Sequence, residues 1–143
     1  MTDPAFCDAS ALVPCCLSEA ITPKVRAYLR RYAPVVWWAS RVEVHSAVAR
    51  LLRFGNIDSK EADGALSRLE IMSRVWKEIL PSESLRDLTC QLVAIYPLRA
   101  ADSMQLAAAL IWCQQRPRGR TFICGDQRLG DAAKAAGFSV IQL

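Results

Sequence analysis

Short apolar runs alternate with longer segments of helical periodicity along this chain of 143 residues. The short runs predict β-strands at residues 5–7, 35–39, 121–125 and 138–143. Apolar side chains that recur every three or four positions predict helices at residues 24–32, 41–53, 59–80, 84–95, 98–115 and 127–136. Strands that alternate with helices favour a parallel sheet with crossover helices. The pattern therefore predicts an α/β fold made of a single domain over residues 1–143.

The longest helical segment, residues 59–80, presents one broad apolar face. Its members are Ala62, Leu66, Leu69, Val75, Trp76 and Ile79. Together with the helix at 41–53, this segment could form a protruding helical hairpin, or its apolar face could simply cover the sheet, which is the usual role of an amphipathic helix. Trp37 and Trp38 fall in the second predicted strand, so we expect both in the core rather than stacked on a base.

The composition narrows the class of protein. Apolar residues make up 52% of the chain, and its formal charge of +4 permits a polyanionic partner such as RNA without requiring one. The start, MTDPAF, lacks an export signal, and no apolar stretch approaches the about 20 residues of a membrane span, so we expect a cytoplasmic protein with no membrane partner. The six cysteines are expected as buried thiols. A zinc site is disfavoured because Cys15–Cys16 is the only close cysteine pair and the chain has one histidine.

Two aspartates each follow a predicted strand. Asp8 comes directly after Phe6-Cys7, and Asp126 comes after the run that ends at Gly125. Ligands of open α/β sheets bind at the carboxyl ends of the strands, and two parallel strands can bring both carboxylates to that edge. The alternative for each aspartate is a helix N-cap, because aspartate readily accepts hydrogen bonds from the first turn of a helix.

Two further acids lie on helices. Glu43 stands three residues after Ser40, which is the spacing of a capping box. However, it also lies beside the buried stripe of its helix, so it can point into a cleft. Asp102 interrupts an otherwise almost wholly apolar helix, where an unpaired charge is costly. The alternative for Asp102 is a solvated or salt-bridged stripe shared with Arg99 and Gln105.

Carboxylates gathered without histidine or cysteine select hard cations, so Mg²⁺ or Mn²⁺ is the expected cofactor. Such a metal ion activates water and neutralises the charge that develops on a phosphodiester, which points to phosphodiester hydrolysis.

His45 is a weaker candidate general base, since no nucleophile can be paired with it. Two basic clusters could hold phosphates or be ordinary solvated surface. They comprise Lys24, Arg26, Arg30 and Arg31, and Arg116, Arg118 and Arg120.

These motifs, taken in order, resemble PIN-domain ribonucleases of the VapC toxin type. The resemblance spans nearly the whole chain and is carried by Phe6-Cys7-Asp8-Ala9-Ser10-Ala11-Leu12, Glu43, Arg99-Ala100-Ala101-Asp102, and Asp126-Gln127-Arg128-Leu129 followed by Ala132-Ala133 and Gly137. One departure is Gln105, which stands where relatives often have histidine and could still hydrogen-bond substrate. Met104 also replaces a more usual small or leucine-like residue.

The resemblance implies a three-layer α/β/α sandwich with a central parallel sheet and Mg²⁺- or Mn²⁺-dependent endoribonuclease activity. It implies a cognate antitoxin encoded beside the toxin, and a homodimer. Asp8, Glu43, Asp102 and Asp126 would form the catalytic and metal-binding set, with Ser10 and Gln105 in support. The alternative role of Ser10 is a local cap or turn hydroxyl. Asp131 lies one turn into the last helix, where an exposed acid favours the helix dipole, and is left outside the set.

Three other functions compete. A haloacid-dehalogenase-like phosphatase would normally carry Asp-x-Asp, but Ser10 occupies the second acidic position. A nucleotide-binding oxidoreductase is disfavoured because neither Gly-x-Gly-x-x-Gly nor the phosphate-loop motif occurs. The third is an RNA-binding or protein-docking module on the same scaffold without turnover. All four acids being present argues against it.

Overall fold

A parallel sheet of five strands lies at the centre of the fold. The structure is a computed structural model that describes residues 2–17 and 23–143. The strands are β1 (Asp3–Cys7), β2 (Tyr32–Trp37), β3 (Lys77–Ile79), β4 (Thr121–Cys124) and β5 (Ser139–Gln142). Every neighbouring pair is parallel, in the order β3-β2-β1-β4-β5.

Helices cover both faces of the sheet. Those in the described ranges are α1 (Ala9–Cys16), α2 (Pro23–Arg31), α3 (Ser40–Arg53), α4 (Ser59–Ser73), α5 (Glu83–Ile95), α6 (Ala100–Trp112) and α7 (Gln127–Ala136). The predicted α/β/α sandwich with a central parallel sheet is confirmed. Within the part of the chain that the structure describes, no helix has both the length and the apolar character needed to cross a membrane.

Successive side chains of the strands point to opposite faces, and this alternation divides the core in two. On one face, Phe6 and Phe122 stack with their ring centroids 5.2 Å apart, under α5, α6 and α7. On the other face, Ala5, Val36 and Ile123 pack under α1, α3 and α4. The apolar faces of α3 and α4 therefore cover the sheet, as in the second of the two alternatives for this helix pair.

The predicted helix at 59–80 is wrong in its last third. Helix α4 ends at Ser73, and Lys77–Ile79 instead forms the edge strand β3, whose register pairs Trp37 with Ile79. Trp76 and Ile79 are buried as expected, whereas Val75 is 78% exposed. The spacing of the two buried side chains imitates a helical face, but the backbone hydrogen bonds go to β2, so tertiary pairing overrides the local pattern.

Helix α1 has no counterpart in the prediction. Its eight residues are almost wholly apolar and include Pro14, so they show no helical periodicity. Strand β2 ends at Trp37, and Trp38 lies in the following turn with half of its surface exposed. The expected core position of Trp38 is therefore wrong, while that of Trp37 is right.

Five of the six cysteines are buried as free thiols, and Cys90 is exposed on α5. Burial raises the pKa of Cys15 to about 12 and that of Cys16 to about 11, which keeps both as unreactive thiols at neutral pH. The prediction of buried thiols is thus confirmed except at Cys90.

Candidate active site

The carboxyl edge of the sheet brings the predicted acidic residues to one region. Asp8 follows β1 and Asp126 follows β4, and these two strands are neighbours in the sheet. Glu43 lies in the first turn of α3, and Asp102 lies in the first turn of α6. Both aspartates that follow strands also cap helices: Asp8 caps α1 and Asp126 caps α7. Capping and placement at the sheet edge are therefore not exclusive alternatives.

Asp8 is almost completely buried, with 3% of its surface exposed. Its carboxylate accepts hydrogen bonds from the N–H groups of Ser10 at 3.2 Å and Ala11 at 3.3 Å, and from the Ser10 hydroxyl at 2.7 Å. Burial raises the pKa of Asp8 from 3.8 to about 7, and the charge of Glu43 adds to this effect, although the hydrogen bonds oppose it. Asp8 is thus an acid whose charged form is costly in the isolated protein.

Ser10 joins the two aspartate turns. Its Oγ donates to Asp8 and accepts from the N–H groups of Gly125 at 2.8 Å and Asp126 at 3.1 Å. A Cβ atom at Gly125 would lie 3.0 Å from the Ser10 carbonyl oxygen, so the two turns approach closely. The hydroxyl therefore ties the start of α1 to the turn between β4 and α7.

Glu43 does not take part in the expected capping box. Helix α3 begins with Ser40 itself, and its N-cap, Ala39, has no side-chain cap. The buried Ser40 Oγ and the Glu43 Oε1 instead both accept hydrogen bonds from the Nε2 of Gln105, at 3.0 Å and 2.9 Å. Burial raises the pKa of Glu43, the charge of Asp102 raises it further, and the hydrogen bond from Gln105 lowers it. Glu43 therefore faces α6 and its acid, as the cleft interpretation expects.

The Asp102 side chain is partly buried and makes neither a hydrogen bond nor an ion pair with any other described residue. Burial raises its pKa, and the charge of Asp126 adds to this, whereas Arg99 and Arg128 pull it down. The salt-bridged stripe with Arg99 is therefore not formed. Among the neighbouring charges, that of Asp126 has the largest effect on the pKa of Asp102.

An open groove of about 650 Å³ lies over this pair of aspartates. Its lining residues are Arg99, Asp102, Asp126, Gln127, Arg128 and Asp131. Asp131 is exposed and accepts a hydrogen bond from Gln127 at 2.8 Å. Arg99 and Arg128 are the basic residues of the groove, and neither was predicted from the sequence to bind substrate. The available signal was their position three residues before Asp102 and two after Asp126.

Other candidates lie away from this groove. His45 is exposed on α3 and borders α4, beside Leu66 and Glu70. Arg30 and Arg31 are exposed on α2, while the side chains of Lys24 and Arg26 fall outside the described residues. The second basic cluster is an exposed loop, in which the Arg120 guanidinium lies over the ring of Trp112 at 5.3 Å.

The donor chemistry of the four acids fits a hard divalent cation, because every candidate ligand is a carboxylate oxygen. In the described residues, no three His, Cys, Asp or Glu side chains converge closely enough to share one metal ion. The acids instead interact as successive pairs: Asp8 with Glu43, Glu43 with Asp102, and Asp102 with Asp126. Each pair raises a carboxyl pKa, so a bound cation would relieve the repulsion.

Comparison with solved structures finds the same fold at low sequence identity. A toxin–antitoxin complex from Klebsiella pneumoniae aligns with a TM-score of 0.63 and 13% identity over 87% of this chain and 88% of that one. FitAcB from Neisseria gonorrhoeae aligns with a TM-score of 0.66 and 17% identity over 96% of both chains. PAE2754 from Pyrobaculum aerophilum aligns with a TM-score of 0.66 and 16% identity over 98% of this chain and 90% of that one. No protein-family model and no curated protein matches the sequence.

Proposed function

We propose that this chain is a metal-dependent endoribonuclease of the PIN type and the toxin of a VapBC-type toxin–antitoxin pair. The observation that carries the proposal is the row of four carboxylates at the carboxyl edge of the sheet. Along this row, the charge of one acid raises the pKa of the acid beside it. The fold shared with a toxin–antitoxin complex from Klebsiella pneumoniae supports the toxin role.

Asp8, Glu43, Asp102 and Asp126 would hold Mg²⁺ or Mn²⁺, and binding would draw their carboxylates closer together, since no three of them converge on one point among the described residues. The ion would supply an activated water and neutralise charge on the phosphodiester. The chain's own residues would bind the substrate: Arg99 and Arg128 line the same groove as Asp102 and Asp126, where their guanidinium groups can bind RNA phosphates.

The direct test compares two aspartates of the same groove. Asp102→Asn removes a proposed ligand, and Asp131→Asn is the matched control, since Asp131 lines the groove but is exposed and lies outside the acidic set. Purified variants are incubated with structured RNAs in Mg²⁺, Mn²⁺ or EDTA. We expect Asp102→Asn to lose at least about 100-fold in rate, or about 2.7 kcal/mol of transition-state stabilisation. Asp131→Asn should stay within a few-fold of wild type. Equal cleavage in EDTA, or by Asp102→Asn, would contradict the metal-nuclease proposal.

An RNA-binding or protein-docking module without turnover is the second candidate, and one observation favours it. In the part of the chain that the structure describes, no three potential ligands converge on one point. This candidate predicts that RNA binds with equal affinity in Mn²⁺ and in EDTA and stays intact. Gel shift and cleavage assays on the same samples therefore separate the two functions.

The proposed antitoxin would dock on the outer face of α3 and α4. A groove of about 730 Å³ lies there, and its wall includes His45, Glu70 and the 60% exposed Ile71. Co-purification with the product of the adjacent gene tests this site, with Ile71→Lys expected to abolish the complex. Phe54→Lys is the control, because Phe54 is also exposed but does not line the groove. A monodisperse chain that ignores the adjacent product would refute the proposal.

The proposed homodimer would use an apolar cleft of about 660 Å³ between α5 and α6. Trp38, Val93 and Met104 line it and are 50%, 45% and 38% exposed, and contiguous exposed apolar side chains mark interfaces. Light scattering should give the mass of a dimer for the wild type and of a monomer for Val93→Glu. Cys90, the exposed thiol in the same cleft, should react with maleimide faster in the monomeric variant. A monomeric wild type would refute this interface.

A further inference from the structure

Gln105 forms a buried link between α6 and α3. Only 1% of its surface is exposed, and its Nε2 donates to both the Ser40 Oγ and the Glu43 Oε1. Its own Oε1 is buried and has no hydrogen-bond partner among the described residues. Only the nitrogen of this amide is hydrogen-bonded, and the buried carbonyl without a partner costs stability.

The orientation of the Gln105 amide follows from its hydrogen bond to the Glu43 carboxylate. A carboxylate can only accept hydrogen bonds, so the amide oxygen of Gln105 would repel Glu43 if the group were turned. Ser40, which is completely buried, holds the second hydrogen of the same nitrogen. The amide is therefore fixed from α3 at two points and in turn fixes Glu43.

Burial also excludes the expected contact of Gln105 with substrate. RNA would lie in the open groove of Asp102 and Asp126, whereas Gln105 faces the interior. Among the described residues, Glu43 is the only charged group to which the Gln105 side chain is hydrogen-bonded, so we expect an effect of Gln105 on the reaction to pass through Glu43.

We propose that Gln105 is a positioning residue that holds the Glu43 carboxylate in place to receive the metal ion, with Ser40 fixing the amide. This inference rests on the proposed metal-dependent function. A free glutamate loses rotamer freedom when it binds a cation, and a side chain already held by a buried donor loses less. Groups that orient metal ligands in this way typically account for a 10–100-fold difference in metal affinity.

The test measures Mn²⁺ binding directly, by calorimetry and by the electron paramagnetic resonance of free Mn²⁺. Gln105→Met keeps a similar volume but removes the donor, and should weaken Mn²⁺ binding by about 10-fold or more. Ser103→Ala is the matched control, because the Ser103 hydroxyl is also buried on α6 but has no partner among the described residues. We expect it to bind Mn²⁺ like the wild type. At saturating Mn²⁺, the KM of Gln105→Met for RNA should be unchanged.

The double variant with Glu43→Gln shows whether the effect passes through Glu43. In that background Gln105→Met should cause no further loss of Mn²⁺ affinity, and an equal additional loss would overturn the inference. Wild-type affinity in Gln105→Met would overturn it while leaving the nuclease proposal intact, whereas a wild type that binds no Mn²⁺ would overturn both. If Gln105→Met does not fold, Ser40→Ala tests the same link from α3, with weaker Mn²⁺ binding expected and unchanged binding contradicting it.

Discussion

Replacing Asp8 with asparagine should make the stability of the metal-free protein less sensitive to pH, while it removes a proposed metal ligand. Asparagine keeps the shape of the side chain and remains a good N-cap for α1. What it removes is the cost of keeping a charged carboxylate in a site that is 3% exposed. Stability and function are therefore expected to respond in opposite directions at this position above neutral pH.

The magnitude follows from the pKa of Asp8. Burial raises it from 3.8 to about 7 in the folded protein, and each pKa unit corresponds to about 1.4 kcal/mol, so the charged form costs about 4 kcal/mol. Because the folded state holds this proton more tightly than the unfolded state, stability falls as pH rises from 3.8 to about 7. About 3 kcal/mol of that loss lies between pH 5 and pH 8.

Urea unfolding in EDTA at pH 5 and pH 8 measures this quantity. Between these two pH values the wild type should lose about 3 kcal/mol more than Asp8→Asn. The new amide hydrogens of asparagine can lack an acceptor and cost about 1–3 kcal/mol, but this cost is the same at both pH values and cancels in the comparison. Asp58→Asn is the control, since Asp58 also caps a helix but is exposed to solvent.

Parallel stability curves for wild type and Asp8→Asn between pH 5 and pH 8 would refute the reasoning. They would show that ionisation of the buried Asp8 carboxyl does not destabilise the folded protein. With Mn²⁺ present, the wild type should regain stability at pH 8 and Asp8→Asn should not, since a ligand that binds only the folded state stabilises it.

Three further outcomes are expected. Ser10→Ala removes the hydroxyl that links Asp8 to the turn after β4 and should lower the free energy of unfolding in urea by about 1–2 kcal/mol; an unchanged midpoint would contradict this tie. Gly137→Ala should cost about 1–3 kcal/mol, because Gly137 has φ +116° and its Cβ would lie 3.0 Å from a carbon of Pro117. Gly64→Ala, inside α4 with only a flexible arginine nearby, should instead stabilise the protein by up to about 1 kcal/mol. In thermal unfolding, Gly64→Ala should therefore melt above the wild type and Gly137→Ala below it.

Local patterns were sufficient for much of the scaffold. The alternation of strands and helices predicts the parallel sheet, and the position of Asp8 and Asp126 directly after strands predicts that they meet at one edge. Both inferences need only the chain order and the general geometry of parallel sheets. The elements predicted wrongly are those whose local pattern is ambiguous: the apolar run of α1 and the short edge strand β3.

The orientation of the site residues depends on contacts between distant parts of the chain. Ser40 and Glu43 have the spacing of a capping box, yet both are occupied by Gln105, more than 60 residues away. Ser10 could be a local turn hydroxyl from its neighbours alone, yet it also accepts from the turn at Gly125. No local pattern encodes these hydrogen bonds, because they form only when the helices are packed.

The sequence by itself determined the fold class, the carboxylate chemistry of the candidate site and the order of the four acids along the chain, since periodicity and residue chemistry are local properties. Only the tertiary structure decided that Asp8 is buried and costly to ionise, and that Trp38 is exposed. It also decided that Glu43 is held by Gln105. The physical reason is that burial, edge-strand pairing and hydrogen bonds across elements depend on which surfaces meet, and this is settled only when the two faces of the sheet are covered.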